Sequence, residues 1–267
     1  MSVTRGSRAR RTVLTVEDNP RQSPLPTEDQ VTSMTTMTVP AYQAPALRHR
    51  TTALITRRPA PARTRPEPVL RAVARSAATT GGLIAVDDAG YHATYAEVWH
   101  AAARTRRDLT EAGVEPGDVV GVAAEPGTGL VAAILGVWLT GAAYLPVDPA
   151  RPGAGGIVAR AVVAGPGLRP GSDLPVVPMV EVVAAPTEPP YAPMPPGEAV
   201  AVVLPARARS GRTVTTRLTH DDLATLIAGS ADDPRPLTGS PVLRMFLPLS
   251  AGGRVRFSLS GRARSPR

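Results

Sequence analysis

The sequence predicts an α/β fold, and three observations within residues 83–147 support this prediction. Short apolar runs typical of buried strands alternate with helical segments, in the order strand, helix, strand, helix, strand. The segment 94–112 has both a helix start signal and a single apolar face. Glycine and proline stand between these segments, where turns and helix ends require them. We therefore expect a parallel sheet with helices packed on it.

Residues 1–66 precede this pattern and are predicted to be a disordered extension. They are rich in Arg, Thr and Pro and show no sustained period. Such a segment cannot bury enough apolar surface to offset the conformational entropy lost on folding. An upstream extension produced by a misplaced start codon is the alternative explanation. An ordered core is expected over residues 67–152.

The first elements of this core are a helix and a pair of strands. Pro68 can open a helix that continues to residue 78, since proline is favoured in the first turn. Gly81 and Gly82 end this segment. Residues 83–86 read as a strand, 87–90 as a turn and 91–93 as a returning strand.

The helix predicted over residues 94–112 carries the clearest local signal. Thr94 and Glu97 have the spacing of a capping box, in which each side chain binds the other residue's backbone amide. Gly113 stands where a C-terminal cap belongs. One helical face is formed by Tyr95, Val98, Ala102, Thr105, Leu109 and Ala112.

The remaining core elements follow a turn at residues 115–118. They are a buried strand at 119–123, an apolar helix at 128–139 and a second strand at 142–147. Residues 130–147 lack charge and approach the length of a membrane span. Gly136, Gly141 and Pro146 interrupt the run, so a buried helix and strand explain it better. No membrane association is expected.

The pattern weakens after the core. Residues 153–197 are expected to be a Pro/Gly-rich connector with short strands at 157–164 and 176–183. Residues 198–250 contain a strand-like run at 199–204, an Arg-rich loop, and a helix at 220–228 that Thr219 can cap. Residues 251–267 are expected to be a basic tail without a pattern.

The composition excludes several classes of site. There is no cysteine, which excludes disulfides, thiolate metal sites and a cysteine nucleophile. The four histidines are scattered without ligand spacing, so no metal site is expected. His220 has no identifiable serine nucleophile or orienting acid nearby, and it is interpreted as the first residue of a helix.

The charge is basic, with a net +8, and every one of the 30 basic residues is arginine. This charge lies in the flanks, while the patterned residues 76–150 carry 3 arginines and 9 acidic residues. The flanks also lack the aromatic side chains that could stack on bases. Nucleic-acid binding is therefore the least favoured of the functions considered below.

Three segments resemble the early core motifs of amino-acid adenylation domains of nonribosomal peptide synthetases. Residues 93–98 (ATYAEV) are similar to the family's L-T/S-Y-x-E-L, and 113–118 (GVEPGD) to its G-V-x-P-G-D turn. Residues 141–149 (GAAYLPVDP) are similar to the family's G-A-A-Y-V-P-L-D-P. The resemblance implies an incomplete N-terminal subdomain of the adenylate-forming, acetyl-CoA synthetase-like fold with disordered flanks.

The resemblance also implies an activity. Family members activate an amino or other carboxylic acid with ATP and Mg²⁺, which yields an acyl-adenylate and pyrophosphate. Residues 205–215, counted back from Thr219 and His220, align with the Y-T-S-G-S-T-G-x-P-K-G part of the family's phosphate loop. Within the loop only Ser210 and Gly211 match, and they are the candidate remnant of a cofactor-binding site.

The phosphate loop departs from the family at the positions that matter most. Small residues let backbone N–H groups approach phosphates, and lysine adds positive charge. Ala208 and Thr215 replace two glycines, and Val214 replaces the lysine. We therefore expect ATP binding to be impaired.

The family's adenine-binding motif, hinge and C-terminal subdomain are not found, and the chain contains no lysine. No catalytic or metal-binding residue is therefore nominated. The leading hypothesis is a truncated relic or one piece of a split enzyme, inactive alone, with the missing C-terminal portion or another synthetase domain as partner. The alternative is a non-catalytic interaction module that docks on a synthetase domain or an acidic partner. A cytoplasmic location is expected in either case.

Overall fold

Two sheets enclose a layer of helices in the computed structural model of this chain. The structure describes residues 11–17, 36–39, 65–147, 157–168, 174–185, 190–207, 213–230 and 241–260.

Six helices and eleven strands are formed by these residues. The helices are α1 (Val69–Thr80), α2 (Tyr95–Glu111), α3 (Thr128–Leu139), α4 (His220–Ser230), α5 (Pro241–Arg244) and α6 (Phe246–Ser250). The strands are β1 (Arg11–Glu17), β2 (Thr36–Val39), β3 (Ile84–Asp88), β4 (Tyr91–Thr94), β5 (Val119–Ala123), β6 (Ala143–Pro146), β7 (Ala161–Ala164), β8 (Val176–Pro178), β9 (Val200–Arg207), β10 (Thr213–Thr219) and β11 (Arg254–Ser260).

The larger sheet is the parallel layer that the sequence predicts. Its strand order is β10-β9-β6-β5-β7-β8. Strand β5 pairs in parallel with β6 and β7, β6 with β9, and β7 with β8, while β10 is antiparallel to β9. The α/β fold class is therefore confirmed.

The smaller sheet combines strands from both ends of the chain, in the order β2-β1-β11-β3-β4. Strand β11 is antiparallel to β1 and parallel to β3. Strands β1 and β2 lie within residues 1–66, for which we predict disorder, and the rest of that segment lies outside the described residues. The domain boundaries themselves stay a prediction.

Strand β11 differs from the sequence analysis, which treats residues 251–267 as a tail without a pattern. Val255 and Phe257 are buried and alternate with the partly exposed Arg254 and Arg256. This two-residue period is that of a strand with one buried face. The arginines mask the signal because they raise the charge of a short segment.

Helix α2 begins and ends as its sequence indicates. The Glu97 amide donates to Thr94 Oγ1 at 3.3 Å, and the Thr94 amide donates to Glu97 Oε2 at 2.7 Å, which completes the capping box. Past the helix, Gly113 has a positive φ of 80°, a conformation that favours glycine. The Val114 amide donates to the Leu109 carbonyl at 3.0 Å and closes the helix end.

Helix α3 lies at the centre of the core, packed between the larger sheet and α2. Eleven of its twelve residues are buried, which explains its apolar sequence on every side. Gly136 approaches Thr105 of α2 closely. The Trp138 indole donates to the Ala201 carbonyl of β9 at 2.8 Å, so α3 is bonded to the sheet as well as packed on it.

The described parts of the connector 153–197 are fastened to this core by two side chains. The Tyr91 hydroxyl donates to the Val182 carbonyl at 2.6 Å, and the Trp99 indole donates to the Pro190 carbonyl at 3.1 Å. Because Tyr91 lies on β4 and Trp99 on α2, the connector passes over the α2 side of the molecule. None of the described helices is long and apolar enough to cross a membrane.

Candidate functional site

The candidate site is the hairpin formed by β9 and β10. Strand β9 is parallel to β6, so the hairpin projects from the carboxyl edge of the parallel strands, where α/β proteins bind ligands. The strands are paired from Thr219 opposite Val200 to Thr213 opposite Arg207. Ser210 and Gly211 belong to the five-residue connection 208–212, which lies outside the described residues.

The hairpin places two altered positions of the phosphate loop in a paired strand. Val214 lies opposite Ala206, and Thr215 lies opposite Pro205. Val214 is 51% exposed, so the position that resemblance assigns to lysine presents an uncharged side chain to solvent. Neither residue offers a phosphate the positive charge or the small-residue backbone that the family uses.

Helix α4 follows the hairpin, and the amides of its first turn already have acceptors. The Asp222 amide donates to Thr219 Oγ1 at 3.0 Å, and the Thr219 amide donates to Asp222 Oδ2 at 3.1 Å. The predicted cap is therefore confirmed as a reciprocal one. The amides of His220 and Asp221 donate to the carbonyls of Ala199 and Gly197. An anion would have to displace these partners, so this helix start is not an open phosphate site.

His220 is the first residue of α4, as the sequence predicts, and it is buried. Its side chain is 2% exposed and meets the Trp138 ring edge-to-face, with centroids 5.6 Å apart. Burial lowers the pKa of His220 to about 4 and outweighs the opposite effect of Asp221. A weakly basic imidazole that contacts an indole inside the core is not placed to act on a bound ligand.

Two aspartates of β3 have structural partners that sequence reasoning missed. Asp88 accepts the Thr128 amide at 3.0 Å and so caps α3 from 40 residues away. Asp87 accepts from Arg256 Nε at 2.8 Å, and its other oxygen lies 3.5 Å from His92 Nδ1. No local motif signals these contacts. The described residues contain no group of three or more possible metal ligands.

A surface pocket lies away from the hairpin. It has a volume of about 440 Å³ and is lined by Arg104, Asp108 and Glu111 of α2 and by residues 176–181. These residues surround β8, whereas the hairpin ends in β10 at the opposite edge of the same sheet. The pocket therefore does not contribute to the candidate site.

Comparison with known proteins finds a family that matches this core. The AMP-binding enzyme family matches residues 73–158. An isonitrile lipopeptide synthase of Streptomyces coeruleorubidus is 46% identical over 85 residues, which are 32% of this chain. One of Mycobacterium tuberculosis is 36% identical over 145 residues, 51% of this chain. The chain spans 6% of the length of each of these relatives.

Several solved structures are similar to this chain over most of its length. The nonribosomal peptide synthetase FmoA3 superimposes with a TM-score of 0.57 at 25% identity, over 74% of this chain and 23% of that chain. Its form bound to α-methyl-L-serine-AMP gives 0.58 at 26% identity, over 72% of this chain and 24% of that chain. MatB of Rhodopseudomonas palustris, at 18% identity and a TM-score of 0.55, shares the fold.

Proposed function

We propose that this chain, whose residues 73–158 match the AMP-binding enzyme family, is related to the adenylation domains of nonribosomal peptide synthetases and does not form acyl-adenylates by itself. Its role is that of an adenylation-type segment that works with other parts of a synthetase. The related reaction is the ATP-dependent activation of an amino or other carboxylic acid. A cytoplasmic location, as expected for such a synthetase, is part of this proposal.

The hairpin carries this proposal. A phosphate loop must present several backbone N–H groups to the ligand, and bulky side chains prevent the close approach. Here the strand residues Val214 and Thr215 replace the family's lysine and glycine, with Ala206 and Pro205 as their partners in the ladder. In the described strands of the hairpin, the positions of the family's lysine and glycine are therefore occupied by side chains that do not favour phosphate binding.

The residues present do not fit ATP and Mg²⁺, the cofactors that the family uses. No lysine exists in the chain to neutralise a phosphate. The described residues offer no carboxylate cluster that could hold Mg²⁺. Catalysis of the family's reaction would therefore require groups supplied from outside these residues.

Pyrophosphate exchange tests the proposal directly. The purified chain, shown to be folded by circular dichroism, is mixed with ATP, Mg²⁺, labelled pyrophosphate and each proteinogenic amino acid in turn. We expect no amino-acid-dependent exchange above background, while a complete adenylation domain assayed in parallel exchanges. Robust exchange by the pure chain would refute the proposal.

Restoring the family's residues in the phosphate loop tests whether the altered residues are the cause of weak ATP binding. We expect the combined changes Ala208→Gly, Val214→Lys and Thr215→Gly to increase ATP affinity at least tenfold, because they return charge and backbone access to the hairpin. Isothermal titration calorimetry measures this. Val158→Lys is the matched control. Val158 is 87% exposed, and its replacement adds the same charge outside the hairpin. An equal gain in the control would mean that charge alone attracts the nucleotide.

A second role, docking on a synthetase domain or an acidic partner, is favoured by the net charge of +8, carried entirely by arginine. Arginine binds carboxylates in a bidentate manner, which suits contacts between proteins. Retention on heparin that falls steeply with salt, together with weak retention on a neutral matrix, would support this role. Retention that salt does not change would count against it.

A further inference from the structure

His220 occupies the junction of three elements. It directly follows β10 and begins α4, and its ring lies against Trp138 of α3. The same Trp138 side chain is bonded to Ala201 of β9 and packs on Phe246 of α6, with ring centroids 4.7 Å apart. The imidazole therefore lies where the hairpin, α4 and α3 meet.

The imidazole is held in this site without polar partners. Neither Nδ1 nor Nε2 finds a hydrogen-bond partner among the described residues, and the side chain is 2% exposed. A neutral imidazole tolerates such a site at the cost of unmade hydrogen bonds. An imidazolium would also lose its hydration, which is far more costly in an apolar surrounding.

The charged groups around His220 do not relieve this cost. Helices α3 and α6 contain no titratable side chain. Among the described residues of the other neighbouring elements, arginines lie at positions 71 and 75 of α1, 217 of β10 and 244 of α5, and the exposed Glu198 precedes β9. Asp222 is used by the cap of α4, and Asp221 pairs with Arg65 at 3.2 Å. The amino end of α4 adds a further positive potential at His220.

We propose that His220 is a proton-operated latch, which holds α4 and the β9–β10 hairpin on α3 while the ring is neutral and releases them when it is protonated. The inference rests on the packing of this junction and does not depend on whether the chain binds ATP. It predicts an opening confined at first to α4 and the hairpin, because the contacts of α1, α2 and α3 with one another do not involve this ring.

The direction of the pH dependence follows from linkage. His220 has a lowered pKa of about 4 in the folded chain against about 6.5 in the unfolded chain. Between these values the open state binds more protons, so stability is lost as the pH falls from 6.5 towards 4. The equilibrium constant for opening should increase by up to about 300-fold over this range.

Trp138 provides the readout. The chain contains two tryptophans, so Trp99→Phe leaves Trp138 as the sole emitter next to the ring. We expect the emission of the full chain to shift towards that of exposed indole as the pH falls from 7.5 to 4.5, and the urea midpoint to fall in parallel. In the same background, His220→Leu should remove most of both changes. His92→Asn is the control and should leave them intact, because His92 is exposed and lies beside Asp87.

Three results would overturn the latch. The first is an unchanged pH dependence in His220→Leu, and the second is a Trp138 emission that does not respond to pH before the whole chain unfolds. If His220→Leu does not fold, the imidazole resonances of the unaltered protein decide the question. A His220 resonance that titrates at pH 6 or above in the folded chain would show that the ring accepts a proton in place, without release.

Discussion

At the residue scale, Tyr95 joins the first family motif to the carboxyl end of the described chain. Its hydroxyl is fully buried and lies 2.6 Å from the Gly253 carbonyl and 3.2 Å from that of Leu249. Burial raises the pKa of Tyr95, so the hydroxyl keeps its proton as a donor. The tyrosine of the motif therefore acts here as a structural bond between α2 and the segment that leads into β11.

Removal of this hydroxyl should destabilise the chain. We expect Tyr95→Phe to lower the free energy of unfolding by about 1–2 kcal/mol, because the buried Gly253 carbonyl loses the donor that lies 2.6 Å from it. Urea unfolding followed by circular dichroism measures this. Tyr91→Phe is the matched control: its hydroxyl also donates to one carbonyl, but the side chain is 47% exposed, so water can replace the bond. Equal losses in the two variants would refute the structural role of Tyr95.

At the element scale, the contact between α2 and α3 depends on a glycine. A Cβ atom built on Gly136 would lie 2.5 Å from the Thr105 Cβ atom and 2.9 Å from the Ala102 carbonyl oxygen. Both neighbours belong to the facing helix, and one is backbone, so neither can move cheaply. The glycine fixes how closely the two helices approach.

The replacement Gly136→Ala should therefore destabilise the chain although alanine is the better helix former. We expect a loss of about 2 kcal/mol or more from overpacking. Gly229→Ala is the control in helix α4, where an added Cβ meets nothing within 4 Å. There the change should stabilise by about 0.5–1 kcal/mol. Thermal and urea unfolding compare the two, and a stable Gly136→Ala variant would contradict this account of the helix contact.

At the scale of the whole molecule, the two faces of the larger sheet differ in what covers them. Helix α3 packs on one face, and none of the described helices packs on the other. The buried side chains of that face include Leu145, Val147, Val162 and Val203, which are at most 7% exposed, and the partly buried Val119 and Val200 pack against them. Within this sheet, large apolar side chains are exposed on the two edge strands, with Val176 of β8 46% exposed and Val214 of β10 51% exposed.

Open strand edges favour association between copies of a chain. We expect sedimentation velocity to show weak self-association that increases with concentration and that Val176→Lys reduces, because a charge on an edge strand opposes pairing. Val158→Lys is the control for added charge away from any strand. A monodisperse monomer that unfolds cooperatively and binds no hydrophobic dye would show that these edges are not adhesive.

The sequence by itself determined the elements from α1 to β6, together with the two ends of α2 and the turns between the elements. Each of these is encoded within a few residues: Thr94 and Glu97 cap a helix three positions apart, and Gly113 ends it where a positive φ is needed. The parallel order of the core strands followed from their alternation with helices. The changes in the phosphate loop could also be identified from the sequence, because they are replacements of particular residue types at known positions of the motif.

Only the tertiary structure decided what joins distant parts of the chain. It placed β11 beside β3, put the Asp88 carboxylate on the first turn of α3, and enclosed His220 against Trp138. Tyr95 bonds a carbonyl 158 residues further along the chain. Local patterns cannot predict such contacts. The free energy that stabilises them comes from burying side chains of several segments together, and these segments become neighbours only in the folded sheets.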